Sequence, residues 1–274
     1  MMKRFMTLIA SLILLASLCS RNLWAQSEWI SQSSGTEMNL MSIDFLDAET
    51  GSTAFISGDA GTILKTQDGG NTWQLCNTGV YEILYHIDVV SENFVIACGS
   101  NGTLLRSFDG GDTWQLTQIP SSIPGIQLDL YSVSVNPVTG VGFVSGSAQN
   151  IHKTTDFGET WTVLREGYFG ALYYLQMLSD NEVVVCGENS IFQSLIGRTL
   201  DGGENWDWRD FYPIDNSGMA WETETHDAHF FTLDTGLTVQ LEPLNGTGFI
   251  TPVYDWEEQM WPSLMQTEEF LTCL

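Results

Sequence analysis

The chain has 274 residues, of which 43% are hydrophobic and 12% aromatic, and its 34 acidic and nine basic residues give a formal net charge of −25 at pH 7. This composition excludes a disordered chain, and the shortage of Lys and Arg argues against nucleic acid and anionic lipid surfaces, which bind through basic residues that neutralise phosphates. Bound divalent cations, a cationic partner and a solvated acidic surface all remain compatible with the charge.

The first 25 residues have the layout of a secretory signal peptide. Lys3 and Arg4 precede an apolar run over residues 5–18, and a cleavage site follows at Ala25. The run is too short to indicate a membrane-spanning helix. An uncleaved anchor is one alternative, and a lipid anchor at Cys19 is another, although a bulky leucine precedes this cysteine where a small residue is required. We predict a secreted, periplasmic or cell-surface protein with no transmembrane segment after signal removal.

The mature chain, residues 26–274, is long enough for one domain with a sizeable core. Loss of the signal removes three basic residues and leaves six against 34 acidic ones, a formal charge of −28. The remaining cysteines are Cys76, Cys98, Cys186 and Cys273, and none forms a Cys-x-x-Cys pair for zinc or redox exchange. Cys98 and Cys186 stand at matching places in separated repeats, which predicts buried thiols and no disulfide between them.

An eight-residue motif occurs four times in the chain. The copies are TQDGGNTW, SFDGGDTW, TTDFGETW and TLDGGENW, and they end at Trp73, Trp114, Trp161 and Trp206. The spacings of 41, 47 and 45 residues between these tryptophans fit four-stranded propeller blades and exceed the period of helical arrays. We therefore divide the chain into units over about residues 29–73, 74–114, 115–161 and 162–206, and a degenerate unit over about 207–261.

Each unit is predicted to form four short antiparallel strands. In the second unit these strands cover residues 84–90, 94–98, 103–107 and 113–118, with a hairpin turn at Asn101-Gly102. Residues 28–32, around Trp29, resemble an outer strand that completes the last blade. The predicted fold is an all-β propeller of four-stranded antiparallel blades, either with five or six blades or as a truncated seven-bladed ring.

The repeated motif is interpreted as a turn that stabilises each blade. Its aspartate accepts hydrogen bonds from the turn's own backbone, a glycine supplies positive φ, and the tryptophan begins the outer strand and covers the hairpin. The residues in these roles are Asp68, Gly70, Trp73, Asp109, Gly111, Trp114, Asp156, Gly158, Trp161, Asp201, Gly203 and Trp206. We predict no catalytic residue, no metal site and no cofactor.

The motif resembles the Asp-box, or bacterial neuraminidase repeat, whose consensus is S/T-x-D-x-G-x-T-W; Asn205 replaces the threonine in the fourth copy. The longer segments 58–73 and 99–114 resemble the repeat of the photosystem II stability and assembly factor family. This resemblance covers residues 28–210 and implies a seven-bladed propeller. It also implies an arginine-rich patch that engages a photosystem subunit, and this chain departs from that pattern because it has too few arginines.

Asp-boxes also invite an enzymatic hypothesis. By family resemblance, a sialidase requires three arginines that clamp the substrate carboxylate. The arginines available after residue 25 are Arg106, Arg165, Arg198 and Arg209. Arg106 and Arg198 occupy the repeat position of Lys65 and Lys153, so they are repeat features and not a clamp. A glycoside hydrolase with a pair of carboxylates 5 to 10 Å apart stays open as an alternative.

Two further segments and several aromatic residues are candidates for binding. The fourth unit carries a four-residue insertion around residues 188–197, and residues 222–229 combine carboxylates with His226 and His229. On a strand these histidines point to opposite faces, which argues against a metal site. Exposed aromatic candidates for a glycan or protein partner are Trp208, Trp221, Trp256 and Trp261.

The sequence as a whole predicts an exported, non-catalytic propeller that acts as a binding or scaffold module. Its partner is expected to be a protein or a glycan, and the chain is expected to be a monomer. A photosystem II assembly factor is the first alternative function, and a glycoside hydrolase is the second.

Overall fold

The computed structural model describes residues 31–47, 50–190 and 193–211, together with the backbone of four strands between residues 224 and 266. Residues 34–274 form one compact unit, distinct from residues 1–33. The expected signal peptide, its cleavage after Ala25 and most of the strand at 28–32 lie outside the described residues. Within the described part of the chain, no helix is both long and apolar enough to cross a membrane.

In the part of the chain that the structure describes, twenty strands form five four-stranded antiparallel sheets, each in chain order. The first contains β1 (Leu40–Phe45), β2 (Ala54–Gly58), β3 (Ile63–Thr66) and β4 (Gln74–Leu75). The second contains β5 (Leu84–Asp88), β6 (Val95–Gly99), β7 (Thr103–Ser107) and β8 (Gln115–Gln118). The third contains β9 (Leu130–Val135), β10 (Gly142–Gly146), β11 (Ile151–Thr154) and β12 (Thr162–Arg165). The fourth contains β13 (Ala171–Met177), β14 (Val183–Glu188), β15 (Ser194–Thr199) and β16 (Asp207–Phe211). The fifth contains β17 (Glu224–Thr232), β18 (Thr235–Leu241), β19 (Gly248–Tyr254) and β20 (Met265–Gln266).

The first strand of each sheet lies beside the first strand of the next, in the order β1, β5, β9, β13 and β17. Consecutive up-and-down sheets that meet through their innermost strands are the blades of a propeller. The all-β propeller prediction is therefore confirmed, with five sheets in the described part of the chain.

The outermost strand of a blade, its fourth, begins later than the sequence predicts. The second blade's outer strand was expected from residue 113 and β8 starts at Gln115, after Trp114. The reason is that the backbone amide of Thr113 donates to the turn aspartate, Asp109, and is not part of the sheet ladder. The predicted Asn101-Gly102 turn is present within a short 3₁₀ turn, where Asn101 has a φ of 58°.

The hydrophobic core is divided into layers between neighbouring blades. The layer between the first and second blades contains Phe55 from β2 and Leu84 and Ile87 from β5, all almost completely buried. The box tryptophan Trp114 packs against this layer. Trp161 and Trp206 pack in the same way against the next two layers. Each tryptophan therefore covers the core between its own blade and the preceding one.

A glycine ends the second strand of each of the first three blades, and Gly187 stands one residue before the end of β14 in the fourth, because the chain entering the blade passes directly over it. These glycines are Gly58, Gly99, Gly146 and Gly187. At Gly146 a Cβ atom would overlap the carbonyl oxygen of Asp129, just before β9. That same carbonyl accepts a hydrogen bond of 2.9 Å from the amide of Ser147. The contact fixes the start of the innermost strand against its neighbour.

We expect Gly146→Ala to lower the free energy of unfolding by at least about 3 kcal/mol, because backbone must move to admit the methyl group. Gly125→Ala is the matched control: nothing lies within 4 Å of a Cβ there and only its positive φ of 81° is unfavourable. The control is expected to cost about 1 to 2 kcal/mol. Urea unfolding measures both, and equal losses would contradict the close-approach explanation.

Candidate functional site

The Asp-box of the second blade is a closed hydrogen-bonded turn. Asp109 Oδ1 accepts hydrogen bonds from the Ser107 hydroxyl at 2.8 Å and the Thr113 amide at 2.8 Å, and Oδ2 accepts from the Thr113 hydroxyl at 2.6 Å. The Ser107 hydroxyl in turn accepts from the Gly111 amide at 2.7 Å. Trp114 Nε1 donates to the Gly111 carbonyl at 3.1 Å. Both carboxylate oxygens are thus occupied within the turn.

The other three boxes repeat the hydrogen bonds of the aspartate, and the third and fourth also repeat the bond from the tryptophan to the glycine carbonyl. Their aspartates, Asp68, Asp156 and Asp201, each accept from a hydroxyl two residues earlier and from a backbone amide four residues later. In the fourth box the Asn205 side-chain amide donates to Asp201 Oδ2 at 2.8 Å and so replaces the missing threonine hydroxyl. The four glycines Gly70, Gly111, Gly158 and Gly203 have φ between 77° and 93°.

These hydrogen bonds stabilise the ionised carboxylates. Those from the Thr113 side chain and amide lower the pKa of Asp109 to about 2, and those from the Asn205 amide and side chain lower the pKa of Asp201 to about 2. A carboxylate held ionised in this way is a poor general acid at neutral pH.

Basic side chains connect the second, third and fourth boxes to the preceding blade. Lys65 on β3 donates to the carbonyl of Gly110 at 2.6 Å, and Lys153 on β11 donates to the carbonyl of Gly202 at 2.7 Å. Between them in the chain, Arg106 on β7 donates to the carbonyl of Phe157 at 3.3 Å. We call these three contacts the inter-blade cation contacts.

The remaining basic residues are also engaged. The Arg165 guanidinium lies between two aromatic rings, 3.9 Å from the Tyr168 centroid and 4.1 Å from the Trp208 centroid. Arg198 and Arg209 approach Asp207 at 3.9 and 3.8 Å. The described arginines therefore do not converge on one substrate carboxylate, as a sialidase would require.

A polar cavity of 190 Å³ lies along the innermost strands. Asp44 accepts a hydrogen bond of 2.7 Å from the Val89 amide, and Asp88 accepts one of 3.0 Å from the Val135 amide. His86, also in the cavity wall, has a pKa lowered by burial to about 4, while burial raises the pKa of Asp88 to about 7. Both aspartates thus bind the innermost strand of the next blade.

No group of three or more metal-ligating side chains occurs among the described residues.

A row of tyrosines lies at the other end of the innermost strands from the Asp-boxes. Tyr85, Tyr131 and Tyr173 occupy the same position in β5, β9 and β13, and Met41 takes this position in β1. The ring centroids of Tyr85 and Tyr131 are 5.1 Å apart, and those of Tyr131 and Tyr173 are 5.4 Å apart. We call these three residues the tyrosine row.

Carboxylates surround the tyrosine row. Tyr173 donates to Glu188 Oε1 at 3.0 Å. Burial, followed by the negative charge of Asp129, raises the pKa of Tyr131 to about 12, and the pKa of Tyr85 is raised by burial, Asp129 and Asp59. The row and its carboxylates form an aromatic, acidic surface at the starts of the innermost strands.

Sequence reasoning missed the tyrosine row, although a signal was present. The dipeptide Leu-Tyr begins the innermost strand of the second and third units, at residues 84–85 and 130–131, and recurs at 172–173. Recognising that these residues meet requires the innermost strands to be placed side by side. Tyrosines separated by more than 40 residues give no local pattern.

The other candidates named from the sequence fall in several places. The insertion at 188–197 lies at the turn between β14 and β15, with residues 191–192 outside the described residues. The 222–229 segment overlaps β17, whose side chains are outside the described part, as are Trp221, Trp256, Trp261 and Cys273. Trp208 is half-buried and stacks on Trp206 with centroids 5.6 Å apart. Cys98 and Cys186 are both buried, as predicted.

Comparison with known proteins places this geometry in a family. A family model described as "Photosynthesis system II assembly factor YCF48" matches residues 71–209, about half of the chain. The chain belongs to this family. The resemblance that the repeats indicate is therefore confirmed.

A curated YCF48 relative extends the match. The photosystem II assembly lipoprotein Ycf48 of Nostoc sp. strain PCC 7120 is 34% identical over 205 residues, which cover 74% of this chain and 58% of the relative. A second relative, from Trichormus variabilis, is matched over 50% of its length. The chain thus spans about half the length of the curated relatives it matches. Both relatives are named photosystem II assembly lipoproteins.

Solved structures share the propeller fold. A structure of YCF48 bound to a D1 peptide is 16% identical, with a TM-score of 0.53, and the match covers 86% of this chain and 84% of that one. A GH74 xyloglucanase from Xanthomonas campestris is 11% identical, with a TM-score of 0.60, over 82% of this chain and 38% of that one. At these identities the likeness concerns the fold alone, so the xyloglucanase gives the glycoside hydrolase hypothesis no support.

The Asp-boxes should make stability depend on acid pH. Since the folded pKa values of Asp109 and Asp201 lie below the unfolded value of about 3.9, their contribution is complete above about pH 4 and is lost as the pH falls toward 2. Asp109→Asn should make this decline shallower in urea unfolding between pH 2 and 5. Asp112→Asn, an exposed change in the same turn, is the control, and equal slopes in both variants would contradict the assignment.

The inter-blade cation contacts should stabilise the fold measurably. Lys153→Met keeps the alkyl stem but leaves the Gly202 carbonyl without its charged donor, so we expect the free energy of unfolding to fall by about 1 to 2 kcal/mol. Arg209→Met, which removes a partly exposed ion pair, should change it by less than about 0.5 kcal/mol. Thermal and urea unfolding test the difference, and a neutral Lys153→Met would refute the contact's role.

Proposed function

We propose that this chain is an exported, non-catalytic assembly factor that binds a polypeptide of photosystem II. The observation that carries the proposal is the YCF48 family match over residues 71–209, which includes the second and third blades' boxes and most of the fourth blade. This match favours the assembly factor, the first alternative from the sequence, over a general scaffold or a glycan-binding module.

The chemistry of the described residues supports a binding role. The box carboxylates are occupied by turn hydrogen bonds, and Asp44 and Asp88 bind the backbone of neighbouring blades. A glycoside hydrolase needs a free pair, one acid and one base or nucleophile. These carboxylates instead hold the blades together, which leaves the chain to act through its surface.

The proposed binding surface is the tyrosine row at the starts of the innermost strands. Half-buried aromatic rings present large contact areas at low conformational cost, which is typical of protein-binding surfaces. An arginine-rich patch of the kind implied by the family resemblance has no counterpart here, because the described basic side chains are engaged within and between blades. This chain would therefore contact its partner through different chemistry.

Export is part of the proposal. The relatives are named lipoproteins, which supports a location outside the cytoplasm. For this chain we retain the finer expectation of a signal peptide cleaved after Ala25, with lipid attachment at Cys19 as the competing possibility. The mass of the mature protein distinguishes the two.

Complementation tests the function. The full chain is expressed in Nostoc lacking its own YCF48 relative, and photosystem II content is measured by oxygen evolution. We expect at least partial recovery and co-purification of a photosystem II subunit with the tagged chain. Gly146→Ala, which is expected to fold poorly, serves as the negative control. Absence of both recovery and co-purification, with the chain folded and exported, would overturn the proposal.

A further inference from the structure

We propose that the tyrosine row and its flanking carboxylates form a binding site for a cationic side chain, lysine or arginine, in a partner polypeptide. The inference rests on the proposed function, in that it names the chemistry of the segment that the assembly factor would bind. The site consists of Tyr85, Tyr131, Asp59 and Asp129, with Tyr173 at its far end.

The rings are arranged to receive a cation. Tyr85 and Tyr131 meet edge to face, with an interplanar angle of 70°, and Tyr131 and Tyr173 are tilted by 36°. All three are half-buried, so each is held by packing and still partly accessible. The electron-rich face of a tyrosine attracts ammonium and guanidinium groups. Among the described residues, the hydroxyls of Tyr85 and Tyr131 have no hydrogen-bond partner, which leaves both polar tips open to a ligand.

Two carboxylates supply the matching charge. Asp129 is oriented by the Asn101 amide, which donates to Oδ1 at 3.1 Å, and Asp59 is oriented by the Asn39 side chain, which donates to Oδ2 at 2.7 Å. Within the described part of the chain, neither aspartate forms an ion pair with a lysine or arginine. Asp129 lies two residues before Tyr131, directly before β9, and after burial its negative charge contributes to the raised pKa of Tyr131.

The chain's own cations are held elsewhere. Lys65, Arg106 and Lys153 donate to the Asp-box turns, at the opposite end of the blades, and Arg165 lies between Tyr168 and Trp208. None of the described lysines and arginines is held at the tyrosine row, so the proposed site takes its cation from another molecule. The net charge of −25 adds a long-range attraction for a basic segment and repels an acidic one.

The carboxylates also decide between a basic peptide and a sugar. Aromatic rings alone could stack on either a neutral sugar ring or a cationic side chain. Oriented carboxylates beside the rings add charge attraction only for the cation, and this attraction weakens as salt screens it. Charge complementarity therefore favours a basic polypeptide segment.

A peptide titration tests the site. The probe is a fluorescein-labelled octapeptide of alternating glycine and lysine, and its partner has acetyllysine at each lysine position. Fluorescence anisotropy with the full mature chain should detect binding of the lysine peptide alone, weaker at 300 mM than at 50 mM NaCl. Tyr131→Leu should weaken binding by about tenfold, within the usual range of cation–π contributions. Asp129→Asn should weaken it by about threefold or more, through loss of one attractive charge.

Control variants distinguish binding at the tyrosine row from attraction of the peptide to the acidic surface as a whole. Tyr131→Phe keeps the aromatic ring and should recover most of the binding that Tyr131→Leu loses. Asp112→Asn removes one charge at the Asp-box end and should leave binding unchanged. No binding by the wild type, equal binding of the acetylated peptide, or equal effects of Asp112→Asn and Asp129→Asn would overturn the site. Cellohexaose is the probe for a glycan. If the wild type binds cellohexaose, Tyr131→Leu loses this binding and Asp129→Asn keeps it, the tyrosine row is a glycan-binding surface and not a cation site.

The same variants distinguish this inference from the proposed function. Suppose that the wild type and Tyr131→Leu restore photosystem II equally well, although Tyr131→Leu no longer binds the lysine peptide. The assembly function then stands, and the cation site is not the site through which the chain binds its photosystem II partner. If the wild type fails to restore photosystem II but binds the lysine peptide with the expected variant pattern, the site stands and the assembly function fails. Circular dichroism and thermal unfolding confirm that each variant is folded.

Discussion

The structure depends on the contact by which one blade closes onto the Asp-box of the next. A cationic side chain from the third strand donates to a backbone carbonyl in the neighbouring turn, and the turn's glycine lies against the preceding blade. Gly111, for example, has no room for a Cβ because the Phe55 ring is 2.7 Å away from that position. The turn is rigid because its aspartate is fully hydrogen-bonded. The rigid turn, the glycine that packs against the preceding blade and the long basic side chain that donates to the turn together fix the spacing between blades.

This architecture determines what remains for binding. Three of the few cations are fixed by the inter-blade cation contacts and a fourth lies between two aromatic rings, so positive charge is removed from the accessible surface. Some acidic side chains outside the boxes also join loops, as Glu166 and Asp180 do by accepting hydrogen bonds from Ser122 and Asn136. Acidic residues nevertheless far outnumber basic ones, so the chain is strongly acidic, and at the tyrosine row acidic side chains lie beside aromatic rings. A family member that keeps the fold but lacks free arginines must recognise its partner in another way.

The sequence was sufficient to predict the blades but not the contacts that join neighbouring blades. Asp, Gly and Trp at fixed spacing define each turn locally, and alternating apolar residues define the strands, so both could be read directly. Lys65 and Arg106 were recognisable as repeat features, but their acceptors lie 45 and 51 residues further along the chain. The residues of the tyrosine row are likewise far apart in the sequence and meet only in the folded chain. The cluster at 222–229 looked like a separate segment because the strand that contains most of it, β17, is longer than its apolar pattern suggests.

Asn205 carries a consequence for how such repeats diverge. Its side-chain amide reaches the same carboxylate oxygen that a threonine hydroxyl reaches in the other boxes, at a nearly equal distance. The turn therefore requires a hydrogen-bond donor of suitable reach at this position, and not one particular amino acid. A repeat that has lost its threonine can still fold as a blade, so pattern searches that require this residue will undercount the blades of related propellers.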